Sequence, residues 1–291
     1  MQQLILGLRD GSLFALVALG LVIIHRTTGV LNFAYGHMGM FAAYITFSCY
    51  AFFGFPLLLA ILMGLLFAVV LGMLTEKFLL RPIRNLSHSA MLIITLGMLM
   101  TLEGTALWIW KQDTRQLPNL ISGKPLLINI GEIFLVITRQ DLLIFILTAV
   151  IVFGTFFYLK YTKVGLAVRA SSQHEEAAKL MGIPVGGVYG FAWGFGTALS
   201  ALAAILAAPK TYVHPNMMLN LQIQGLTAAV LGGFDSLPGA IVGGLLLGVI
   251  EQYVGEWISA DLKLAVALII IIILLLIKPS GILGKSSKRR V

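Results

Sequence analysis

"LTAAVLGGFDSLPGAIVGGLLLG", residues 226–248, is apolar at both ends and interrupted by Gly232, Gly233, Pro238 and Gly239. Glycine and proline are the strongest punctuators of helical structure. The apolar segment that holds this stretch, 222–254, is too long for one membrane crossing, which needs about 20 residues. It therefore reads as two helices joined by a tight turn, the first about 11 residues long, or about 16 Å. A turn reached so early lies within the membrane, where irregular backbone survives only if buried in protein or lining a water-filled cavity.

The surrounding chain supports a membrane setting. Of 291 residues, 59% are hydrophobic and 11% charged, with a mean hydropathy of +0.97; soluble domains carry about 25% charged residues. Apolar segments fall at 8–24, 32–53, 56–79, 89–110, 140–159, 185–208, 222–254 and 262–278. The fold class is an all-α polytopic membrane protein of about eight hydrophobic segments, one or two broken or re-entrant. The alternating ten-residue segments of a β-barrel are absent. The whole chain, 1–291, reads as a single transmembrane domain.

Charge sets the expected orientation. Lys77, Arg81 and Arg84 follow the third segment, Lys160, Lys163, Arg169 and Lys179 occupy the 160–184 loop, and Lys278, Lys285, Lys288, Arg289 and Arg290 lie in the tail. The lysine/arginine bias puts all three regions in the cytoplasm. Counting back gives an N-terminus outside. Counting forward, three full passes from 160–184 would leave the basic tail outside. The break in 222–254 supplies the extra reversal, so the C-terminus is expected inside. The net charge of +8 is loop lysine and arginine; no aromatic-basic module for nucleic acid is present.

A second break, "HRTTGVLNFAYGHMG" (25–39), interrupts the passage between the first two segments. Broken helices in corresponding halves point to a transport pathway. The candidate path comprises Asn32, Phe33, Gly36 and His37 here, Glu103 within "LGMLMTLEGTALWIW", and Gly232, Gly233 and Asp235 at the later break. An intramembrane carboxylate such as Glu103 is costly and is either functional or paired. His37 can donate to a substrate carboxylate or to a backbone carbonyl. Glycine pairs at four-residue spacing, Gly190/Gly194, Gly239/Gly243 and Gly244/Gly248, suit close helix packing.

The 160–184 loop contains "SSQHEEAAKLMG" (171–182). Ser172 and Glu175 have the spacing of a capping box, Gly182 can close the helix in a left-handed conformation, and Pro184 stops it. A helix of about ten residues is expected, with Ala177, Leu180 and Met181 on one face. So short a helix is marginal alone and needs a packing partner.

"EAAKLMG" (176–182) matches E-A-A-x-x-x-G and resembles the cytoplasmic coupling loop of ABC importer permeases. The longer run "VGLAVRASSQHEEAAKLMGIPV", together with "GSLFALVALGLVIIHRTTGVLNFAYGHMGMFAAY", "RPIR", "AAVLGGFDSLPGAIVGGLLLG" and "KPSGILG", resembles the permease subunits for branched-chain amino acids and related small substrates. The resemblance implies a permease of a prokaryotic inner (plasma) membrane, within lipid. Its implied partners are a second permease subunit (a related chain or a second copy), two ABC ATPase subunits that hold ATP and Mg, and an extracytoplasmic solute-binding protein docking on loops 111–139 and 209–221. Implied coupling residues are Ser172, Glu175, Glu176, Ala177, Ala178, Leu180, Met181 and Gly182. Asp235 and Glu103 stand where the family more often has small or uncharged groups, so urea or a short amide is an alternative substrate.

This chain is not expected to be an enzyme or to bind a cofactor. "PSGILGKSS" imitates the end of a phosphate-binding loop, but Pro279 stands where a glycine is required and the following helix is missing. The histidines at 25, 37, 88, 174 and 214 lack metal-ligand spacing. The alternative class, an ion-coupled secondary transporter or channel, also uses broken helices; the loop helix and the scarcity of paired intramembrane charges disfavour it.

Overall fold

The computed structural model describes residues 1–83, 88–130, 133–278 and 280–284. Arg84, Pro279, Lys285, Lys288, Arg289 and Arg290 lie outside the described residues. The helices are α1 (Gln2–Thr28), α2 (Tyr35–Ala51), α3 (Leu57–Leu74), α4 (His88–Trp110), α5 (Arg139–Tyr161), α6 (Lys163–Gln173), α7 (Glu175–Leu180), α8 (Val185–Thr211), α9 (Leu219–Gly232), α10 (Leu237–Trp257) and α11 (Lys263–Ile277). Among the described residues seven helical stretches are long and apolar enough to cross a membrane. The chain is an all-α polytopic membrane protein, and its apolar segments correspond to α1–α5, α8, the α9–α10 pair and α11.

One short antiparallel hairpin, β1 (Leu126–Ile130) and β2 (Ile133–Ile137), was not foreseen. Gln2 donates to the Val136 carbonyl at 2.9 Å and accepts from the Val136 N–H at 3.0 Å. One side chain thus satisfies both backbone groups of Val136 on the open edge of β2, which would otherwise be left unpaired.

The chain folds as two compact units, interleaved in sequence. The first comprises residues 1–22, 119–149 and 220–291. Here α1 and α10 run antiparallel in close contact. A Cβ on Gly11 would meet the backbone of Gly244 and Leu245, and one on Gly248 would meet Gly7 and Gly11. The α9–α10 hairpin closes the same way: Gly232 abuts Gly239, and Gly243 abuts the Ala228 carbonyl. These glycines are scaffold, as close backbone approach requires. α5 starts with a reciprocal capping box: the Asp141 carboxylate accepts from the Thr138 N–H at 3.1 Å, and the Asp141 N–H donates to Thr138 Oγ1 at 3.1 Å. This T-x-x-D pattern is readable in the sequence.

The turn after α9 is present, with Gly233 at φ +102 and Ser236 capping α10 through the Gly239 N–H at 3.1 Å. α9 has 14 residues rather than the expected 11 or so, because helix continues back to Leu219. α10 has 21, about 31 Å. The tip therefore lies at the end of a membrane-length helix, and the shortfall is at the start of α9. After α11, Ile282 and Leu283 donate to the Leu231 and Gly232 carbonyls at 2.8 and 3.1 Å. Tail and turn share one side of this unit.

The second unit comprises 23–118 and 150–219. α2, α3 and α8 form its core, with Trp193, Tyr35, Tyr44 and Met38 fully buried. Gly72 meets Trp193 and Thr197, Gly194 meets Val69 and Met73, and Gly64 meets Ala42 and Thr46. α3 ends in a π-helical turn, Thr75–Leu80, then a single 3-10 turn, Arg81–Ile83.

Candidate functional site

The loop after α5 is built differently from the expectation. Ser172 is not a cap. α6 runs through it, and its hydroxyl donates back to the Arg169 carbonyl at 2.9 Å. The N-cap of α7 is His174, whose side chain makes no capping bond, and α7 has 6 residues rather than about ten. The physical reason is that Arg169–Gln173 already satisfies its amides within α6, leaving only Glu175 onward for a second helix.

The C-terminal end behaves as expected. Gly182 has φ +79, its N–H reaches the Lys179 carbonyl at 3.0 Å, and the Ile183 N–H reaches Ala178 at 3.0 Å. This is the two-bond left-handed closure that glycine favours. The buried face of α7 is Ala178, 4% exposed, whereas Leu180 and Met181 are 88% and 83% exposed. Ala177 and Glu176 are also exposed. The apolar pair expected to pack thus faces away from its own chain. Glu175 holds α7 inward: it pairs with Lys179 at 2.7 Å and accepts from Tyr189 Oη of α8 at 3.3 Å.

Beside Tyr189 lies a pair that sequence reading missed. Arg81 grips Glu76 through Nε at 3.2 Å and a terminal nitrogen at 2.6 Å, and donates to the Gly186 carbonyl at 2.6 Å. Glu76 is 3% exposed, and a buried carboxylate requires such a partner. The two residues are five apart. The π turn makes this spacing close one turn, with the Arg81 N–H bonded to the Glu76 carbonyl. A small cavity beside the pair is lined by Thr28, Glu76, Arg81, Tyr189 and Trp193.

At the first break, Asn32 is 3% exposed. Its Oδ1 accepts from the Ala34 N–H at 3.0 Å and its amide reaches Met38 Sδ at 3.4 Å. Both ends of the amide are engaged in shaping the start of α2. Phe33 and Gly36 flank it. Tyr35 donates to the Gly196 carbonyl at 3.0 Å, and Ser200 donates to the Tyr35 carbonyl at 2.9 Å, fixing α2 on α8. His37 differs. It is 2% exposed, and both ring nitrogens lack a hydrogen-bond partner. Glu103 of α4 lies within electrostatic range of its ring.

Glu103 itself opens into a cleft of about 270 Å³ with Leu107, Gln112, Thr114, His214, Pro215 and Asn216. Paired backbone hydrogen bonds between Arg115 and Val213, 2.9 and 2.7 Å, join the two loops that line it. Burial lowers the His214 pKa below its ordinary value.

Of the candidate path residues, Asn32, Phe33, Gly36, His37 and Glu103 belong to the second unit. Gly232, Gly233 and Asp235 belong to the first, where the glycines close the helical hairpin and Asp235 is exposed at its tip. The first unit also holds a buried acid the reading passed over. Glu251, 4% exposed in α10, accepts from Gln224 at 2.8 Å through one carboxylate oxygen. The other lacks a partner. It sits in an apolar run, "GLLLGVIEQYVG", and the same rule that singled out Glu103 finds it.

A family model for the permease component of branched-chain amino acid transport systems matches residues 3–275. The chain is 31% identical to the high-affinity branched-chain amino acid transport system permease protein BraD of Pseudomonas aeruginosa, over 100% of this chain and 98% of that protein. It is 29% identical to LivH of Escherichia coli K12, a protein described in the same words, over 100% and 97%. The probable branched-chain amino acid transport permease LivH of Methanocaldococcus jannaschii is 28% identical over 96% and 90%. Among solved structures, PsaBC from Streptococcus pneumoniae, in complex with Fab, matches with a TM-score of 0.51 at 16% identity, covering 96% of this chain and 93% of that one. At that identity the likeness concerns the fold.

Proposed function

The chain belongs to the family of branched-chain amino acid transport system permeases, and from this we propose that it forms the translocation path of an ATP-driven importer for branched-chain amino acids. The observation that carries the reading beyond family membership is α7. It is tied to its own bundle by Glu175 and Ala178, yet presents Leu180 and Met181 almost fully exposed. A short helix with an outward apolar pair suits a cleft in a partner protein. The partner is an ABC ATPase subunit. Two such subunits supply nucleotide binding and hydrolysis with ATP and Mg, and this chain contributes neither.

The importer contains a second permease subunit and a solute-binding protein outside the membrane. In this reading it resides in a prokaryotic inner membrane with the N-terminus outside and the loop 160–184 inside. The binding protein docks on 111–139 and 209–221. Closure of the ATPase dimer moves α7, the Glu175–Tyr189 contact passes that motion to α8, and the Arg81–Gly186 contact carries it on to the end of α3. Co-purification tests the reading: the wild-type chain retains the ATPase subunits in mild detergent, and Leu180→Asp/Met181→Asp loses them. Retention by the double variant would remove α7 from the interface.

A further inference from the structure

Glu103 is an acid without a bonded partner among the described residues. It is half-buried on a membrane helix, and among the described residues it makes neither an ion pair nor a hydrogen bond. No lysine or arginine lines the cleft it opens into, and Arg115, in the following loop, is engaged with Asp113 at 3.1 Å and over the Phe47 ring at 5.9 Å. A lone carboxylate at membrane depth is costly, and such groups mark substrate or ion paths. The cleft around it carries amide and hydroxyl groups from Gln112, Thr114 and Asn216, with Leu107 as an apolar wall. Its volume, about 270 Å³, is close to the lower end of small-molecule sites, about 300 Å³.

The position along the helices extends the pattern. Trp110 of α4 donates to Ser48 of α2 at 2.8 Å. Counting from that contact, Glu103 lies about seven residues along α4, roughly 10 Å, and His37 about eleven along α2, roughly 16 Å. Passing inward from the cleft, the chain thus offers a carboxylate and then an orphaned imidazole within its electrostatic range.

Resting on the importer function above, we propose that Glu103 is a transit site in the permease itself, holding the ammonium group of the amino acid as it leaves the binding protein. The carboxylate supplies the one charge in the cleft that an α-ammonium requires. The polar loop groups replace water around it, and Leu107 meets the aliphatic side chain.

The test uses the whole importer, with ATPases and binding protein, in proteoliposomes. Leucine uptake by the wild type comes first: without it, the functional reading fails, and this site with it. Given wild-type uptake, Glu103→Gln lowers the rate at least tenfold and Glu103→Asp by less than threefold, both in complexes of normal composition by size-exclusion chromatography. Wild-type rates in Glu103→Gln overturn the proposal alone. A structural role is separated by chemical rescue. In a Cys49→Ser background, Glu103→Cys is treated with a sulfonatoethyl or a trimethylammonioethyl thiosulfonate. The anionic adduct restores uptake and the cationic adduct does not; rescue by both or by neither overturns the site. An inorganic cation is the remaining occupant. Uptake by wild type is equal in sodium, potassium and N-methylglucamine buffers, and a sodium or potassium requirement lost in Glu103→Gln would assign the carboxylate to that ion instead.

Discussion

Tyr189 of α8 donates its phenolic hydrogen to Glu175 of α7 across 3.3 Å, joining the short loop helix to a membrane-length helix. Beyond it, α7 rests on its own bundle chiefly through Ala178. Loss of the hydroxyl in Tyr189→Phe removes a net contribution of about 1 kcal/mol. The expected result is a two- to fivefold fall in binding-protein-stimulated ATP hydrolysis at unchanged subunit composition, each tenfold corresponding to about 1.4 kcal/mol. Glu176→Lys and Gly182→Trp act from the other side of the same helix. At Gly182 a Cβ meets no atom within 4 Å, so that variant acts through left-handed strain, about 1–2 kcal/mol, and through its bulk at the partner surface. Transport at wild-type rate in either variant would exclude α7 as the coupling element.

The Arg81–Glu76 pair gives a compensation test. Arg81→Met strands a buried carboxylate, whose removal from its partner costs about 3 kcal/mol or more when fully buried. Arg81 is partly exposed, so the effect is smaller. The melting temperature of the purified complex falls, and Arg81→Met/Glu76→Gln recovers much of the loss. Equal loss in single and double variants would mean that Arg81 acts through the Gly186 carbonyl alone.

His214 sets a pH dependence. Burial lowers its pKa in the folded chain, so the unfolded chain takes up the proton first as pH falls below about 6.5. Stability is full above that value and declines as pH drops towards the folded pKa. Thermal unfolding of the complex between pH 7.5 and 5.5 should show a decline that is shallower in His214→Gln. Identical slopes would contradict this linkage.

The bond of the tail to the α9–α10 turn puts both on one side, so labelling tests the proposed orientation. With Cys49→Ser as background, Asp235→Cys at the exposed tip and Ala260→Cys before α11 report opposite sides of the membrane. A membrane-impermeant thiol reagent labels Ala260→Cys in intact cells and Asp235→Cys only after permeabilisation. Early labelling of Asp235→Cys would reverse the proposed topology.

The helical frame was legible because runs of about 20 apolar residues leave few alternatives to a spanning helix, and because Gly232, Gly233 and Pro238 punctuate the one run that was too long. Features set by backbone hydrogen bonding were not. Ser172 has the sequence of a cap, but helix α6 absorbs it, while the working capping box, Thr138 and Asp141, stood unremarked. The 126–137 hairpin is a pair of short apolar runs, which periodicity cannot separate from helix. Glu76 and Arg81 meet only because a π turn brings residues five apart together. His37 and Glu103 were readable as residue types, whereas their lack of partners is a property of the folded chain.

Whether ATP hydrolysis by partner subunits drives branched-chain amino acids through this chain is read out by labelled leucine accumulation. The assay uses proteoliposomes holding the complete importer with internal ATP and external binding protein. Concentrative uptake is expected to require ATP and the binding protein and to persist when sodium and proton gradients are abolished. Concentrative uptake by the permease subunits alone, driven by an imposed ion gradient without ATP, would contradict that expectation.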